Sequence, residues 1–228
     1  MVPPDNQRST IAIEFPSISI TPEPARQSSA SDQPLVKLDS IYLLDAFAAF
    51  ILAIVGLPIL MLSLLWVMVV DWGNPFFTQV RIGLDGKPYR IFKVRTMSQD
   101  HRGHARFCAH GDERILPGGH FLRKSRIDEL PQLFNVLMGE MALVGPRPEQ
   151  PTFVKSFIQE IPRYEERLKV KPGITGIAQI SQGYVDSLDG TRIKLKYDLF
   201  FIRNRSLALW FFIVIGTVRV VLFRHGAR

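Results

Sequence analysis

Between Ala46 and Val70 the chain carries no charged residue for 25 positions, a length that matches a membrane helix of roughly 17 to 25 residues. Gly56-Leu57-Pro58 sits in the middle of that run. A proline there removes a backbone hydrogen bond and crowds the preceding turn, so a break is expected. Arg26 and Lys37 precede the run, and Arg81, Lys87, Arg90, Lys93 and Arg95 follow it. The positive-inside rule would place both flanks in the cytoplasm, whereas the length of the run is that of a simple spanning anchor. A spanning helix and a helix that breaks and returns to its own face are both compatible with this pattern. Near the other end, Leu207 to Val218 is apolar but too short to span, and Arg219 interrupts it; a buried or interfacial helix is expected. Ile193, Tyr197, Phe200 and Phe201 recur at helical spacing, with Lys194, Lys196 and Arg203 between them, which suits a helix lying at a headgroup layer.

The stretch between these apolar segments alternates differently. Phe76 to Ile82 and Tyr89 to Thr96 are rich in β-branched and aromatic residues around Asp85-Gly86, which predicts a hairpin. Pro131 to Met138 supplies Leu133, Phe134, Val136 and Leu137 before Gly139, the pattern of a short helix with a glycine stop. That helix starts either with Ser125 as its cap or at Pro131, which suits a first turn. The fold class expected is α+β, mainly helical. Residues 1–38, rich in Pro and Ser, are expected to be a disordered tail. Residues 39–72 form the membrane helix and 73–228 a cytoplasmic domain.

Composition narrows the partners. A net charge of +7 over 228 residues admits nucleic acid, an anionic lipid surface or a phosphorylated substrate. The cations are dispersed and no reading module is present, which argues against nucleic acid. The single cysteine, Cys108, excludes an internal disulfide framework and fits a reducing compartment. His101, His104, Cys108 and His110 match none of the common zinc spacings, and a polar loop is expected there.

The candidate chemistry centres on Asp128 and Glu129, set after Arg123-Lys124-Ser125-Arg126-Ile127 and before Leu130-Pro131. Either helix start leaves both carboxylates near a positive helix end, which favours their ionised form and binds phosphate. An ionised aspartate can attack phosphorus. An anionic diphosphate substrate then requires cations, supplied by Mg²⁺ and by Arg123, Lys124, Arg126 and Arg147. A plain helix cap paired with surface arginines accounts equally well for the spacing. Gly145-Pro146-Arg147-Pro148-Glu149 presents one arginine between two prolines, a candidate phosphate clamp. The glycines of Lys171-Pro172-Gly173-Ile174-Thr175-Gly176 would allow close approach to a ligand, or simply form a connector.

These blocks, in this order, resemble the bacterial sugar transferase family, the monotopic polyprenyl-phosphate sugar-1-phosphate transferases. The carriers are the proline-broken run, Asn74-Pro75-Phe76-Phe77, Gln79-Val80-Arg81-Ile82-Gly83 and Phe92-Lys93-Val94-Arg95-Thr96-Met97. Phe121-Leu122-Arg123-Lys124, Asp128-Glu129-Leu130-Pro131-Gln132, Asn135-Val136-Leu137 and Val144 to Glu149 extend them. Pro172 to Gly176, Ala178-Gln179 and Lys196-Tyr197-Asp198 complete the set.

The resemblance implies a re-entrant helix facing the cytoplasm, amphipathic interfacial helices, and a bacterial inner-membrane location. It also implies a ping-pong reaction. Asp128 attacks the β-phosphate of a UDP-sugar, UMP leaves, and a polyprenyl phosphate accepts the sugar phosphate, the initiating step of a surface glycan. Glu129 would bind the metal or act as general base, with Asp128 the other metal contact. Arg123, Lys93, Arg95, Arg147 and Glu149 would contact substrate. Membrane lipids are implied partners, and a homodimer is compatible with the picture. Three positions depart from the family's pattern: Leu57 before the membrane proline, Leu116-Pro117-Gly118-Gly119 before Phe121, and Leu209-Trp210 in the last helix. The competing expectations are a non-catalytic membrane scaffold and a transferase that moves the sugar without its phosphate, which would release UDP.

Overall fold

The structure is a computed structural model that describes residues 36–98, 112, 114–182 and 187–223. Residues 1–35 of the expected tail and the histidine-cysteine loop lie outside the described residues; the tail's last three positions belong to the first helix. The first element is a long helix, α1 (Val36–Val70), with Pro58 inside it. Most of its large apolar side chains, among them Phe47, Val55, Leu62 and Val69, are exposed. It is the one described helix long and apolar enough to cross a membrane.

Alongside α1 lies the antiparallel hairpin β1 (Phe76–Ile82) and β2 (Pro88–Val94), paired from Phe76 opposite Val94 to Ile82 opposite Pro88. The turn forms where expected because Asp85 and Gly86 both take positive φ, 54° and 75°, conformations that Asp tolerates and Gly adopts freely. The second strand stops at Val94 instead of Thr96: the Arg95 N–H makes a last bond to the Pro75 carbonyl at 2.8 Å, and the Thr96 carbonyl accepts from the Leu116 N–H at 3.0 Å, beside the Met97–Ile115 bridge.

The chain continues through α2 (Gly119–Lys124), α3 (Gln132–Leu137), β3 (Ala142–Val144), α4 (Pro151–Glu160) and β4 (Gly173–Thr175). It ends in α5 (Ile177–Ser181), α6 (Leu188–Arg203) and α7 (Leu207–Phe223). β3 and β4 pair in parallel. The fold is thus mainly helical with a small amount of sheet.

The main core joins these layers. Ile41 and Ala49 of α1 pack with Tyr89 and Ile91 of β2, Leu133 and Val136 of α3, Val144 of β3, Phe201 of α6 and Ile213 of α7. One buried amide fastens the hairpin to α3: the Asn135 side chain donates to the Arg90 carbonyl at 2.7 Å and accepts from the Phe92 N–H at 3.2 Å. Along α7, Trp210 and Ile213 face the core, while Leu207, Phe211, Ile215 and Val218 are exposed, so one helix is both buried and surface-facing. The expected polar positions of α6 behave differently. Lys194 turns inward onto the Glu149 carboxylate, and Asp198 is 4% exposed, because each finds an opposite charge inside.

Candidate functional site

The segment carrying the two carboxylates is built by a sharp change of direction. Ser125 ends α2 instead of capping the next helix, its hydroxyl donating to the Phe121 carbonyl at 2.7 Å. Arg126 then takes the left-handed conformation at φ 59°, which for a non-glycine residue costs about 1–2 kcal/mol. That reversal starts a single 3₁₀ turn, Ile127–Glu129, and turns both carboxylates inward. Pro131 caps α3 immediately after, as its fixed φ favours. Asp128 and Glu129 are 7% and 6% exposed.

Their surroundings separate them. Glu129 Oε1 lies 2.7 Å from Lys93 Nζ, 2.5 Å from Arg147 Nη2 and 3.7 Å from Arg126 Nη1. Burial pushes its carboxyl up, but Arg147 and Lys93 outweigh that and hold it well below the usual carboxylate range. Asp128 keeps one buried oxygen, Oδ1, with no hydrogen-bond partner. Burial pushes its carboxyl up to about 6, opposed by Lys93 and reinforced by the neighbouring Glu129 charge. At neutral pH both groups are ionised, one clamped by cations and the other poorly compensated. Such a split assigns different roles to adjacent carboxylates, and the under-solvated one is the stronger nucleophile.

The clamp itself is held from behind. Arg147 stands between Pro146 and Pro148; Arg81 Nη1 donates to the Pro148 carbonyl at 3.1 Å, and the Ile82 N–H donates to the Glu149 carbonyl at 3.0 Å. Arg167 Nη2 donates to the Arg147 carbonyl at 2.8 Å. Arg167 is in turn paired with Asp198 at 2.9 Å, both side chains 4% exposed, and bonds the Tyr164 hydroxyl at 3.0 Å. Glu149 is bonded by Lys194 and lies 3.8 Å from Arg81.

Of the residues singled out in the sequence, the fold brings together Asp128, Glu129, Lys93, Arg147 and Arg126. Arg95 is instead buried with its guanidinium on Asp71, at 3.2 Å from Oδ2, tying the end of α1 to the strand. Glu149 serves its own loop through Lys194. Arg123 occupies the last turn of α2, half-buried. The glycines after Lys171 make a close approach, but to backbone: a Cβ on Gly173 would stand 2.1 Å from the Gly145 nitrogen. Arg167 and Asp198 were not singled out for this framework. Their local signals are an ordinary helical charge and one motif position, and only the tertiary fold puts them behind Arg147.

Among the described residues no group of three or more His, Cys, Asp or Glu side chains could hold a metal ion. Asp128 and Glu129 are two adjacent carboxylates; with the unpartnered Asp128 Oδ1 left free to react, a metal would draw on the second Asp128 oxygen and on Glu129, which Lys93 and Arg147 already hold. Mg²⁺ commonly binds through one or two carboxylates, with substrate phosphates and water completing the shell. The donor set fits that mode.

The sequence profile for the family described as "Bacterial sugar transferase" matches residues 40–224. An Aeromonas hydrophila protein named UDP-N-acetylgalactosamine-undecaprenyl-phosphate N-acetylgalactosaminephosphotransferase is 44% identical over 186 residues, covering 81% of this chain and 44% of its own length. Proteins named UDP-glucose:undecaprenyl-phosphate glucose-1-phosphate transferase are also similar. The one from Klebsiella pneumoniae is 38% identical over 82% of this chain and 41% of its own length. The one from Caulobacter vibrioides is 37% identical over 81% of this chain and 70% of its own length. The chain therefore spans less than half the length of the first two.

Proposed function

The chain belongs to the bacterial sugar transferase family, and on that premise we propose that it transfers a sugar-1-phosphate from a UDP-sugar to a polyprenyl phosphate such as undecaprenyl phosphate, releasing UMP. The observation that carries this reading is the split between Asp128, buried with an unpartnered oxygen, and Glu129, clamped by Lys93, Arg126 and Arg147. Asp128 Oδ1 forms a bond to the β-phosphorus of the donor as the bond from that phosphorus to the α–β bridging oxygen breaks. UMP leaves with the electron pair. The acceptor's phosphate oxygen then displaces Asp128 from the phosphorus, so the aspartate is regenerated and the product is a polyprenyl diphosphate sugar. Arg147, Lys93 and Arg126 counter the charge of the diphosphate, and Glu129 fixes those cations beside the reacting phosphorus. Asp128 and Glu129 would hold Mg²⁺, which supplies charge neutralisation at the diphosphate oxygens.

The membrane topology belongs to the same proposal. Tyr42 near the start of α1 accepts from the Lys171 N–H at 3.2 Å, and Trp66 near its end donates to the Pro117 carbonyl at 3.1 Å. Gly56 between them faces Leu130 at 3.4 Å, measured from an added Cβ. Both ends of α1 are held by one globular body, while its other side is exposed and apolar. These contacts support a helix that enters and leaves by the cytoplasmic face of the inner membrane, although α1 runs through Pro58 without the break expected there.

The test is nucleotide release by detergent-purified protein with Mg²⁺, undecaprenyl phosphate and a panel containing UDP-glucose and UDP-N-acetylgalactosamine, beside Asp128→Asn. UMP from one donor, lost in the variant, is the expected result. UDP release would mean transfer of the sugar alone, and no release from any donor by folded protein would leave a membrane scaffold.

A further inference from the structure

About 20 Å along α1 from Gly56, at 1.5 Å per residue, the helix carries a second cationic feature that the chemistry at Asp128 does not use. The Tyr42 ring has Lys171 Nζ 4.6 Å from its centroid and the Arg205 guanidinium 4.1 Å from it. The Tyr42 hydroxyl also accepts from the Lys171 backbone N–H at 3.2 Å. One aromatic ring therefore positions two like charges from segments far apart in the chain. Among the described residues neither cation has a carboxylate within ion-pair distance, and Arg205 Nε and Nη1 are buried without acceptors. Asp45 is near enough to feel the Arg205 charge; its Oδ1 accepts from the Trp210 indole N–H at 2.7 Å and its Oδ2 has no hydrogen-bond partner. Both cationic side chains are half-buried, and among the described residues Asp45 is the one carboxylate whose charge reaches Arg205, so two cations share at most one anion and the pair has room for another.

The surroundings identify its source. Leu43, next to Tyr42, is 71% exposed, and Phe47 one turn on is 65% exposed. Leu207, two residues after Arg205, and Phe211 are also exposed. The cations thus stand beside exposed apolar residues of both α1 and α7. An aromatic ring with basic side chains beside exposed apolar helices is the arrangement found where a protein meets lipid headgroups.

We propose that Lys171 and Arg205, mounted on Tyr42, bind the phosphate of a membrane phospholipid headgroup and fix the N-terminal arm of α1 at the membrane surface. The site stands independently of the transferase reading. Its lipid tails lie on the exposed faces of α1 and α7, and its phosphate is distinct from the one acted on near Asp128.

The test is native mass spectrometry of the full chain released from a non-ionic detergent after incubation with equimolar phosphatidylglycerol, phosphatidylcholine and undecaprenyl phosphate. The wild type is expected to retain phospholipid, and Lys171→Gln with Arg205→Gln to reduce the bound fraction by about tenfold or more, as two lost cations near a lipid surface imply. Lys87→Gln with Arg90→Gln removes the same charge from exposed hairpin positions and is expected to retain lipid. Lys171→Arg keeps it too. Lys171→Gln alone, which leaves Arg205 on the ring, gives the same comparison if the double variant does not fold. Equal loss in both double variants would reduce the effect to net charge and overturn the site. Retention in Lys171→Gln with Arg205→Gln would overturn it as well. Inorganic phosphate displacing the lipid at equal concentration, or undecaprenyl phosphate alone being retained, would overturn the headgroup assignment.

Discussion

Arg167 Nη2 donates to the backbone carbonyl of Arg147 at 2.8 Å, so a buried arginine paired with Asp198 sets the height at which Arg147 reaches Glu129. This makes Asp198 a positioning residue acting through two others. Asp198→Ala leaves Arg167 buried without its anion, which costs about 3–5 kcal/mol. Asp198→Asn keeps the shape and one acceptor, so it is expected to fold with a smaller loss. Its catalytic defect should fall mainly on kcat, since Arg147 is displaced and not removed. Steady-state kinetics beside a thermal melt checks this; a loss of stability with kcat intact would confine Asp198 to the scaffold.

Replacing Asp128 by Asn should abolish turnover and yet stabilise the fold. The wild-type carboxyl titrates at about 6 in the folded protein, above its ordinary value of 3.8. A raised carboxyl favours the folded state most when protonated, so its contribution is full below the unfolded value and is lost as pH rises through about 6. Asn carries no such charge, and its advantage at pH 7 should be about 1–3 kcal/mol. Melting wild type and variant across roughly pH 4 to 8, a range that spans the loss of that contribution, should show the curves converging at the acid end. Parallel curves would mean that Asp128 is better compensated than its unpartnered oxygen indicates.

Glu129 should behave in the opposite sense. Its folded carboxyl is held well below 4.5 despite burial, by Arg147 and Lys93. Its contribution is present above the unfolded value and lost as pH falls through the lowered one. Glu129→Gln leaves Lys93, Arg126 and Arg147 facing one another without an anion, a cost of about 3–5 kcal/mol near neutrality. The gap to wild type should narrow on acidification. Chemical denaturation at about pH 7 and at about pH 3.5 measures both; a pH-independent gap would show that packing, not charge, is what the substitution removes.

The parts of this fold that could be read from the chain are those with local causes. Asp85-Gly86 forces a turn wherever it stands between two β-rich runs, and Pro131 begins a helix because its ring supplies the required φ. The carboxylate pair was legible from its own residues and from Arg126 beside it, whereas the Lys93 and Arg147 that clamp Glu129 come from 36 and 18 positions away. Charge partners across the fold were not. Arg95 and Arg147 look alike as arginines beside apolar residues, yet one is on Asp71 and the other on Glu129. Glu149 stands two residues from Arg147 and is occupied by Lys194, 45 positions away. Lys194 read as a cation on the headgroup side of α6 because helical spacing reports which face a residue occupies, not whether an opposite charge waits on the buried side.

The glycine pair at the β3–β4 junction gives the sharpest contrast available to mutation. A Cβ on Gly173 would lie 2.1 Å from the Gly145 nitrogen, 2.6 Å from the Gly145 Cα and 2.6 Å from the Thr175 carbonyl oxygen. All three atoms are backbone, so no side chain can swing aside. Separating them opens the parallel pair that carries the Pro146-Arg147-Pro148 loop. Gly173→Ala should therefore cost more than about 4 kcal/mol and give little folded protein. Gly86 is the control, because a Cβ there meets nothing within 4 Å and only its φ of +75° is unfavourable. Gly86→Ala should cost about 1 kcal/mol and leave nucleotide release unchanged. Thermal melts of both variants in the same detergent decide the point. If Gly173→Ala melts alongside Gly86→Ala, the close backbone approach that positions Arg147 is not a feature of the folded protein.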